Sequence, residues 1–262
     1  MNAPSLAGRA RRLRRSLLCP SRRPRALLVG LVVSDRRCSV HHVALERCYA
    51  VVMAVDLRSL ADPSRTAVLT MELQRGDTGD PSAMPELAEE VRAAGVLDNV
   101  AALCRAARQA GAPVVHCTAV FRPDGLGSKV NSRIQAASTK LNQGRLAVGS
   151  PGAAVMPEIG PEPSDIEVPR VFGMTPFTST ALDQTLRNMG VTTIVATGNS
   201  VNIGVLGLVL NGVDLGYQVV VQRDAVAGVP KEYADAVIDN TIALLATVCT
   251  TAELTAAWSA SS

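Results

Sequence analysis

Apolar and polar residues form alternating blocks along the chain from about residue 53 onward, and the blocks differ in period. Runs such as "TAVLTMEL" (Thr66–Leu73) and "VTTIVA" (Val191–Ala196) are short, apolar and β-branched, which is typical of strands buried in a parallel sheet. By contrast, "GVLDNVAALCRAARQAG" (Gly95–Gly111) repeats its apolar residues at helical spacing and ends at a glycine. Strands that alternate with helices predict an α/β fold.

The whole pattern predicts an open parallel sheet of about six strands with helices on both faces, a Rossmann-like three-layer α/β/α arrangement. Strands are expected at Thr66–Leu73, Ala112–Phe121, Ile166–Pro169 and Val191–Ala196 and within Gly216–Gly228, with a brief sixth after Cys249. Further helices are expected at Thr178–Gly190, capped by Thr178 or Ser179, after Gly198, and at Lys231–Cys249. The polar stretch Arg122–Pro169 is too long for an ordinary connection and predicts a functional loop with short helices.

Charge and cysteine content restrict the partners of this fold. Residues 1–52 hold 11 arginines and two acidic residues, whereas the remainder holds 15 basic and 21 acidic residues. A mildly acidic folded part is not expected to bind nucleic acid. No stretch is long enough to span a membrane, so no membrane partner is expected. Six cysteines without a CxxC pair favour free thiols in the reducing cytoplasm.

The arginine-rich segment of residues 1–52 is expected to lie outside the folded domain, which we place at residues 53–262. A basic region before "ALLVGLVV" (Ala26–Val33) resembles a secretory signal, but no small-residue cleavage site follows it. A basic arm for nucleic acid or acidic lipid is a second interpretation. We favour the third, a disordered extension or an over-extended start with Met53 as the true initiator.

Polar residues follow the first and third predicted strands, and the carboxyl ends of parallel strands meet at one edge of a sheet. Glu72 and Gln74 follow the first strand, and a carboxylate there is either functional or paired with an arginine for structure. Arg170 follows the third strand, where it either clamps an anionic substrate or lies on the surface. Phe177 comes shortly after Arg170, before the next helix.

The turn "GNSVNIGVLG" (Gly198–Gly207) follows the fourth strand and contains no cysteine, histidine or carboxylate. The backbone N–H groups of Ser200 and Gly204, with Asn202 between them, bracket a helix start and suit an anion or a developing oxyanion. The alternative is ordinary strand–helix packing through small residues. The turn lacks the GxGxxG spacing, so no dinucleotide cofactor is expected.

Histidines and cysteines give weaker candidates. His116 is more often a satisfied core histidine than a catalyst, and Cys117 beside it is a nucleophile only if its side of the strand faces a pocket. The three histidines form no HxH or HExxH pattern, so no metal site is expected.

The segments that follow the first, third and fourth predicted strands, taken in this order, resemble the isochorismatase-like superfamily of cysteine hydrolases. The resemblance extends over about Thr66–Glu253. The most specific part, from Pro176 to Gly228, is similar to the family's run of an aromatic residue, a Thr–x–Leu–Asp helix, a strand ending in glycine, the nucleophile turn and a Gly–Tyr strand ending in Asp–Ala. The resemblance implies a cofactor-free hydrolase of a small molecule that assembles as a homo-oligomer.

The family's usual triad of aspartate, lysine and cysteine is altered in this sequence. The aspartate position matches Glu72 and the cysteine position matches Gly204. The lysine position falls on Arg170 by charge or on Val171 by spacing. Isochorismatases proper also resemble "NIG" at the cysteine position, and their enol-ether cleavage needs a carboxylic acid rather than a nucleophile. The resemblance therefore implies that Gly204 leaves room for a bulkier substrate.

The leading hypothesis is a hydrolase of a small anionic metabolite that acts without a cysteine nucleophile. Glu72 would be the general acid, Arg170 would orient the substrate, and the Ser200 and Gly204 amides would hold its charged end. The contacts of the substrate would be completed by Gln74, Phe177 and Asn202. A catalytically inactive relative that binds a small ligand or serves in assembly is the alternative, and a cysteine enzyme using Cys117 is a third. An unpaired Glu72 in a closed pocket would favour the enzyme, whereas a Glu72–Arg170 ion pair would favour binding or structure.

Overall fold

The computed structural model describes residues 56–79 and 82–259, and the predicted extension of residues 1–52 lies outside the described residues. The described strands are β1 Thr66–Met71, β2 Val114–Ala119, β3 Ile166–Arg170, β4 Thr193–Asn199, β5 Gln218–Ala227 and β6 Thr247–Cys249. The described α-helices are α1 Leu57–Leu60, α2 Arg75–Thr78, α3 Pro85–Ala93, α4 Val96–Ala110, α5 Arg133–Asn142, α6 Pro176–Ser179, α7 Leu182–Asn188, α8 Leu206–Asp214, α9 Lys231–Val237, α10 Ala243–Leu245 and α11 Thr251–Ser259.

The six strands form one parallel sheet in the order β3-β2-β1-β4-β5-β6. In the register of β1, Leu69 lies opposite Val115 on one side and Ala196 on the other. The chain therefore leaves β1 in two directions, first to β2 and β3 and later to β4, β5 and β6. The predicted α/β fold is confirmed, and β1 lies at the point where the strand order reverses.

Two hydrophobic cores cover the two faces of the sheet, because alternate strand residues point to opposite sides. On one face, Val68, Val114 and Val195 pack with the apolar side of α4, whose predicted boundaries are close to the observed ones. On the other face, Leu69, Val115 and Ile194 pack with α7 and α8. Within residues 56–79 and 82–259, no helix combines the length and the apolar character needed to cross a membrane.

Two predicted helices differ from the structure. The helix expected over Thr178–Gly190 is divided into α6 and α7, and Thr180 Oγ1, rather than Thr178 or Ser179, accepts from Leu182 N at 3.0 Å just before α7. The helix expected over Lys231–Cys249 ends before Thr247, and its last three residues are β6 itself. The β-branched Thr247 and Val248 fit a strand beside β5 better than the end of a helix. The predicted helix end is therefore too late in the sequence.

Candidate active site

A cavity of about 320 Å³ lies at the carboxyl ends of β1, β2 and β3. The strand ends contribute Glu72, Ala119 and Arg170 to its lining. Other lining residues come from α2 and from the segment of residues 121–147, which contains α5. The long stretch predicted to be a functional loop therefore forms a wall of this cavity.

Glu72 and Arg170 form a buried ion pair at this cavity. Arg170 Nη2 donates to Glu72 Oε1, and the two side chains are 8% and 16% exposed. Glu72 has a φ of 51°, a left-handed conformation that costs a non-glycine residue about 1–3 kcal/mol. Its N–H donates to Cys117 O at 2.9 Å, and its carbonyl accepts from Asn199 Nδ2 at 3.2 Å. Such strain, held in place by neighbouring segments, is typical of functional sites.

One N–H donor group of the Arg170 guanidinium has no hydrogen-bond partner among the described residues. This group is Nη1, which is buried, whereas Nε lies 3.5 Å from Gly173 O. Burial lowers the pKa of Arg170 to about 10, so the group still carries its charge at neutral pH. A buried N–H without a partner costs about 1–3 kcal/mol, and an acceptor on a bound ligand would recover it.

Of the two positions that match the family's lysine, Arg170 is the one that contacts Glu72. Val171 follows the end of β3, and its carbonyl accepts from Ser128 Oγ at 2.6 Å. That bond ties the cavity wall to β3. Of these two residues, only Arg170 belongs to the described lining of the cavity.

Gln74 does not face the cavity, which corrects its predicted role in substrate binding. Its amide is fully buried, and Nε2 donates to Ala119 O at 2.9 Å and to Ala153 O at 2.8 Å. Its Oε1 accepts from Ala119 N at 2.6 Å. With these three bonds, Gln74 joins the end of β1 to β2 and to the segment that follows α5.

Phe177 is a core residue rather than a substrate contact. Its ring is buried and stacks on Tyr217, with ring centroids 5.7 Å apart and an interplanar angle of 27°. It packs under α8 with Leu208 and Ile194. The prediction failed because an aromatic before a helix fills a core as readily as it lines a pocket.

The turn after β4 packs against β1 and lies outside the cavity lining, which does not include Ser200, Asn202 or Gly204. Gly198 has a φ of 102°, and a Cβ there would lie 2.2 Å from Met71 O, so only glycine fits. A Cβ on Gly204 would lie 3.1 Å from Met71 Cε. The space beside Gly204 is thus filled by Met71, which corrects the expectation that this glycine makes room for substrate.

The turn also forms hydrogen bonds to a neighbouring segment and within itself. Asn202 Nδ2 donates to Val229 O at 3.3 Å, which ties the turn to the end of β5. The peptide bond between Asn199 and Ser200 is cis, and the carbonyl of Ser200 accepts from Val205 N at 3.0 Å. The substrate contacts predicted for Ser200 and Asn202 therefore have no counterpart in the lining of this cavity.

His116 and Cys117 belong to the interior of the sheet. His116 Nδ1 lies 2.8 Å from Thr70 Oγ1, its Nε2 lies 3.1 Å from Asp165 Oδ2, and burial lowers its pKa. Burial raises the pKa of the Cys117 thiol to about 12, so the thiol stays protonated. A protonated thiol that does not line the cavity is no nucleophile, which argues against the cysteine-enzyme hypothesis.

A family comparison agrees with this architecture. The family model named Isochorismatase domain matches residues 66–253. The chain belongs to the isochorismatase family. It is 32% identical over 177 residues to the ureidoacrylate amidohydrolase RutB of Methylobacterium radiotolerans, covering 63% of this chain and 67% of that protein. It is 28% identical over 183 residues to the RutB of Pseudomonas syringae pv. syringae, covering 66% and 74%.

Solved structures of the isochorismatase family share the fold. An isochorismatase family protein from Burkholderia thailandensis superposes with a TM-score of 0.63 at 27% identity, covering 75% of this chain and 96% of that chain. A cysteine hydrolase from Pseudomonas syringae pv. phaseolicola gives a TM-score of 0.64 at 24% identity, covering 76% and 95%. The second likeness shows the fold alone. The family is hydrolytic, and its two relatives given above are named as amidohydrolases of the small molecule ureidoacrylate.

Sequence analysis did not single out Asp77, an acidic residue of the cavity lining. Asp77 on α2 lines the cavity together with Glu72 and Arg170 and is 5% exposed. Burial raises the pKa of Asp77 to about 7. The sequence does contain a second carboxylate five residues after Glu72. Its place at the cavity depends on the short helix α2, which the sequence pattern did not predict.

Proposed function

We propose that this chain hydrolyses a small anionic metabolite at the Glu72–Arg170 site, without a cysteine nucleophile at position 204. The observation that carries the proposal is Arg170, a buried cation in the lining of a cavity of about 320 Å³, whose Nη1 has no hydrogen-bond partner among the described residues. A carboxylate on the substrate would accept from Nη1 while Nη2 continues to hold Glu72. Lys129, which also lines the cavity, adds positive charge for an anion.

The ion pair changes the role proposed for Glu72. Sequence analysis made Glu72 the proton donor, but a carboxylate beside a buried guanidinium is stabilised in its ionised form. An ionised Glu72 accepts a proton and orients a water molecule for attack on the substrate. We therefore propose Glu72 as the general base and Arg170 as the residue that binds the anionic end.

The substrate class combines a carboxylate with a bond that water can cleave. The relatives named ureidoacrylate amidohydrolase make a C–N bond next to a carboxylate one choice, and the family name makes the enol ether of isochorismate another. Both fit the same division of labour, because each needs an anchored anion and a proton transfer at the reacting centre.

The test uses the full-length chain with ureidoacrylate, N-carbamoylsarcosine and isochorismate, and with the neutral amide pyrazinamide as the uncharged comparison. We expect turnover of at least one anion and a loss of roughly 100-fold or more in kcat/KM in Arg170→Met, since a charge-assisted bond is removed. Arg223→Met is the matched control, because Arg223 forms an exposed ion pair with Asp239 outside the cavity. Equal turnover of pyrazinamide and the anions would contradict an anion site.

A binding protein without catalysis is the second candidate, and two observations favour it. Glu72 is paired with Arg170 rather than free, and Met71 fills the space beside Gly204 where the family has its nucleophile. This candidate predicts that the anions raise the melting temperature of the full-length chain in an Arg170-dependent way and that none of them is hydrolysed.

A further inference from the structure

Asp77 lies on α2 and lines the same cavity as Glu72 and Arg170. Its N–H donates to Gln74 O at 3.1 Å, and Gln74 is itself bound to β2 and to the segment after α5. One residue earlier, Gly76 N donates to Gly152 O at 2.8 Å, and a Cβ on Gly76 would lie 2.8 Å from Leu146 Cδ2. The short helix is thus clamped between two segments, so the position of Asp77 is fixed.

Asp77 is a buried residue of the cavity lining, and its carboxyl group has no hydrogen-bond partner in the part of the chain that the structure describes. Asp77 is 5% exposed, and no donor among the described residues forms a hydrogen bond to its carboxyl oxygens. Burial without a counter-charge favours the neutral acid, and it raises the pKa of this group to about 7. Glu72, by contrast, has the guanidinium of Arg170 against it.

Two carboxyl groups in one cavity with opposite surroundings divide the roles of acid and base. We propose that Asp77 is the proton donor of the hydrolysis and that Glu72 is its base. The inference rests on the function proposed above and names the group that protonates the substrate.

The proposed step balances in atoms and protons. Water forms a bond from its oxygen to the electrophilic carbon of the substrate and gives one proton to the Glu72 carboxylate. In an amide, the bond from that carbon to the leaving nitrogen breaks and the nitrogen takes the proton of Asp77, whereas in an enol ether the proton of Asp77 goes to the vinyl carbon before the C–O bond breaks. Transfer of the Glu72 proton back to Asp77 through solvent restores both groups, so the net reaction consumes one water.

Several other charged groups lie on the elements around Asp77 and influence its protonation. The cavity lining brings Glu72, Arg122, Lys129 and Arg170 near it, and Arg122 is paired with Asp124. Arg75 shares α2 with Asp77, and Arg145 lies on the adjoining segment. The helix α3, which packs against α2, carries Glu86, Glu89, Glu90 and Arg92. Among the described residues, none of the basic groups forms an ion pair with Asp77.

The test compares Asp77→Asn with the full-length wild type on the carboxylate substrate that the wild type turns over, and on an analogue with the same acid part and a p-nitrophenol leaving group. We expect kcat to fall by roughly 100-fold or more on the first substrate with KM changed by less than about threefold. On the activated analogue, whose leaving group needs no protonation, the loss should be below about fivefold. The wild-type kcat should also decline as pH rises through about 7, and this limb should vanish in Asp77→Asn.

Three results are informative in different ways. Equal losses on both substrates, or no loss on either, would overturn the role of Asp77 while leaving the proposed hydrolase intact. Absence of turnover by the wild type on every substrate would overturn the proposed function itself, and the proton donor with it. Glu86→Gln, a change of an exposed carboxylate on α3, is the matched control and should keep the wild-type rate on both substrates.

Discussion

At the scale of single residues, the site depends on what each charged group has beside it. Glu72 and Asp77 are both carboxylic acids at one cavity, yet of the two, within residues 56–79 and 82–259, only Glu72 forms an ion pair with an arginine. Sequence analysis found Glu72 and Arg170 because both follow predicted strands. It missed Asp77, and it assigned Gln74 and Phe177 to the substrate, because burial and hydrogen bonding inside the protein cannot be read from the pattern around a single residue.

The raised pKa of Asp77 predicts a stability difference that needs no enzymatic activity. A group whose pKa is raised on folding stabilises the fold fully below its unfolded value near 3.8, and this contribution is lost as pH rises through its folded value of about 7. The unfolding free energy of wild type relative to Asp77→Asn should therefore fall by roughly 2–4 kcal/mol between pH 4 and pH 8. Urea unfolding at both pH values measures it, and a pH-independent difference would contradict an unpaired buried acid.

Gly204 and Met71 should be energetically coupled. A side chain at position 204 meets Met71 Cε at 3.1 Å and the carbonyl of Asn199 at 3.2 Å, so Gly204→Cys should destabilise the fold by about 1–3 kcal/mol through overpacking. In the background of Met71→Val the cost should fall by about half or more, which denaturant unfolding of the four proteins of the cycle would show. Strict additivity would mean that Met71 does not occupy the position of the missing side chain.

At the scale of elements, strands were predicted better than the segments between them. The strand β1 was found to within two residues, whereas the helix expected over Thr178–Gly190 is two helices and the end of the last predicted helix is β6. Buried strands carry their own apolar signal. The position of α5 and the cavity wall follows instead from distant contacts such as Ser128 Oγ to Val171 O.

The amide of Gln74 should be the main tie between β1, β2 and the cavity wall. Gln74→Met removes both partners of Ala119 and one of Ala153 and leaves these buried backbone groups unsatisfied, at a cost of about 1–3 kcal/mol for each group. We expect a loss of at least about 2 kcal/mol in unfolding free energy and faster amide exchange in residues 150–156. Gln184→Met, which removes an exposed bond to Asn188, is the control and should change neither quantity.

At the scale of the whole molecule, the fold and the family were predictable and the reaction was not. The alternation of strands and helices determined the layers, and the segments at the strand ends pointed to the isochorismatase family. The cavity, however, lies over β1, β2 and β3, so only two of the three predicted segments meet in it. The position of the cavity depends on the strand order and on the path of the segment of residues 121–147. Neither of these can be predicted from a local sequence pattern.

Assembly into a homo-oligomer remains a prediction at this scale. Leu210 and Val213 on α8 and Leu215 beside them are large apolar residues that are exposed on one chain. Light scattering after size exclusion should show more than one chain per particle for the full-length protein, and Leu210→Glu should shift the population toward single chains. A wild type that elutes as a single chain at micromolar concentration would contradict the prediction.

The central claim is that hydrolysis proceeds at the Glu72–Arg170 cavity without a cysteine nucleophile. Its most direct test is the hydrolysis rate of full-length wild type, Cys117→Ala and Glu72→Gln on the anionic substrate that the wild type turns over. We expect Cys117→Ala to keep the wild-type rate within about threefold, because the protonated thiol of Cys117 lies outside the cavity, and we expect Glu72→Gln to lose roughly 100-fold or more. Loss of activity in folded Cys117→Ala with activity retained in Glu72→Gln would contradict it.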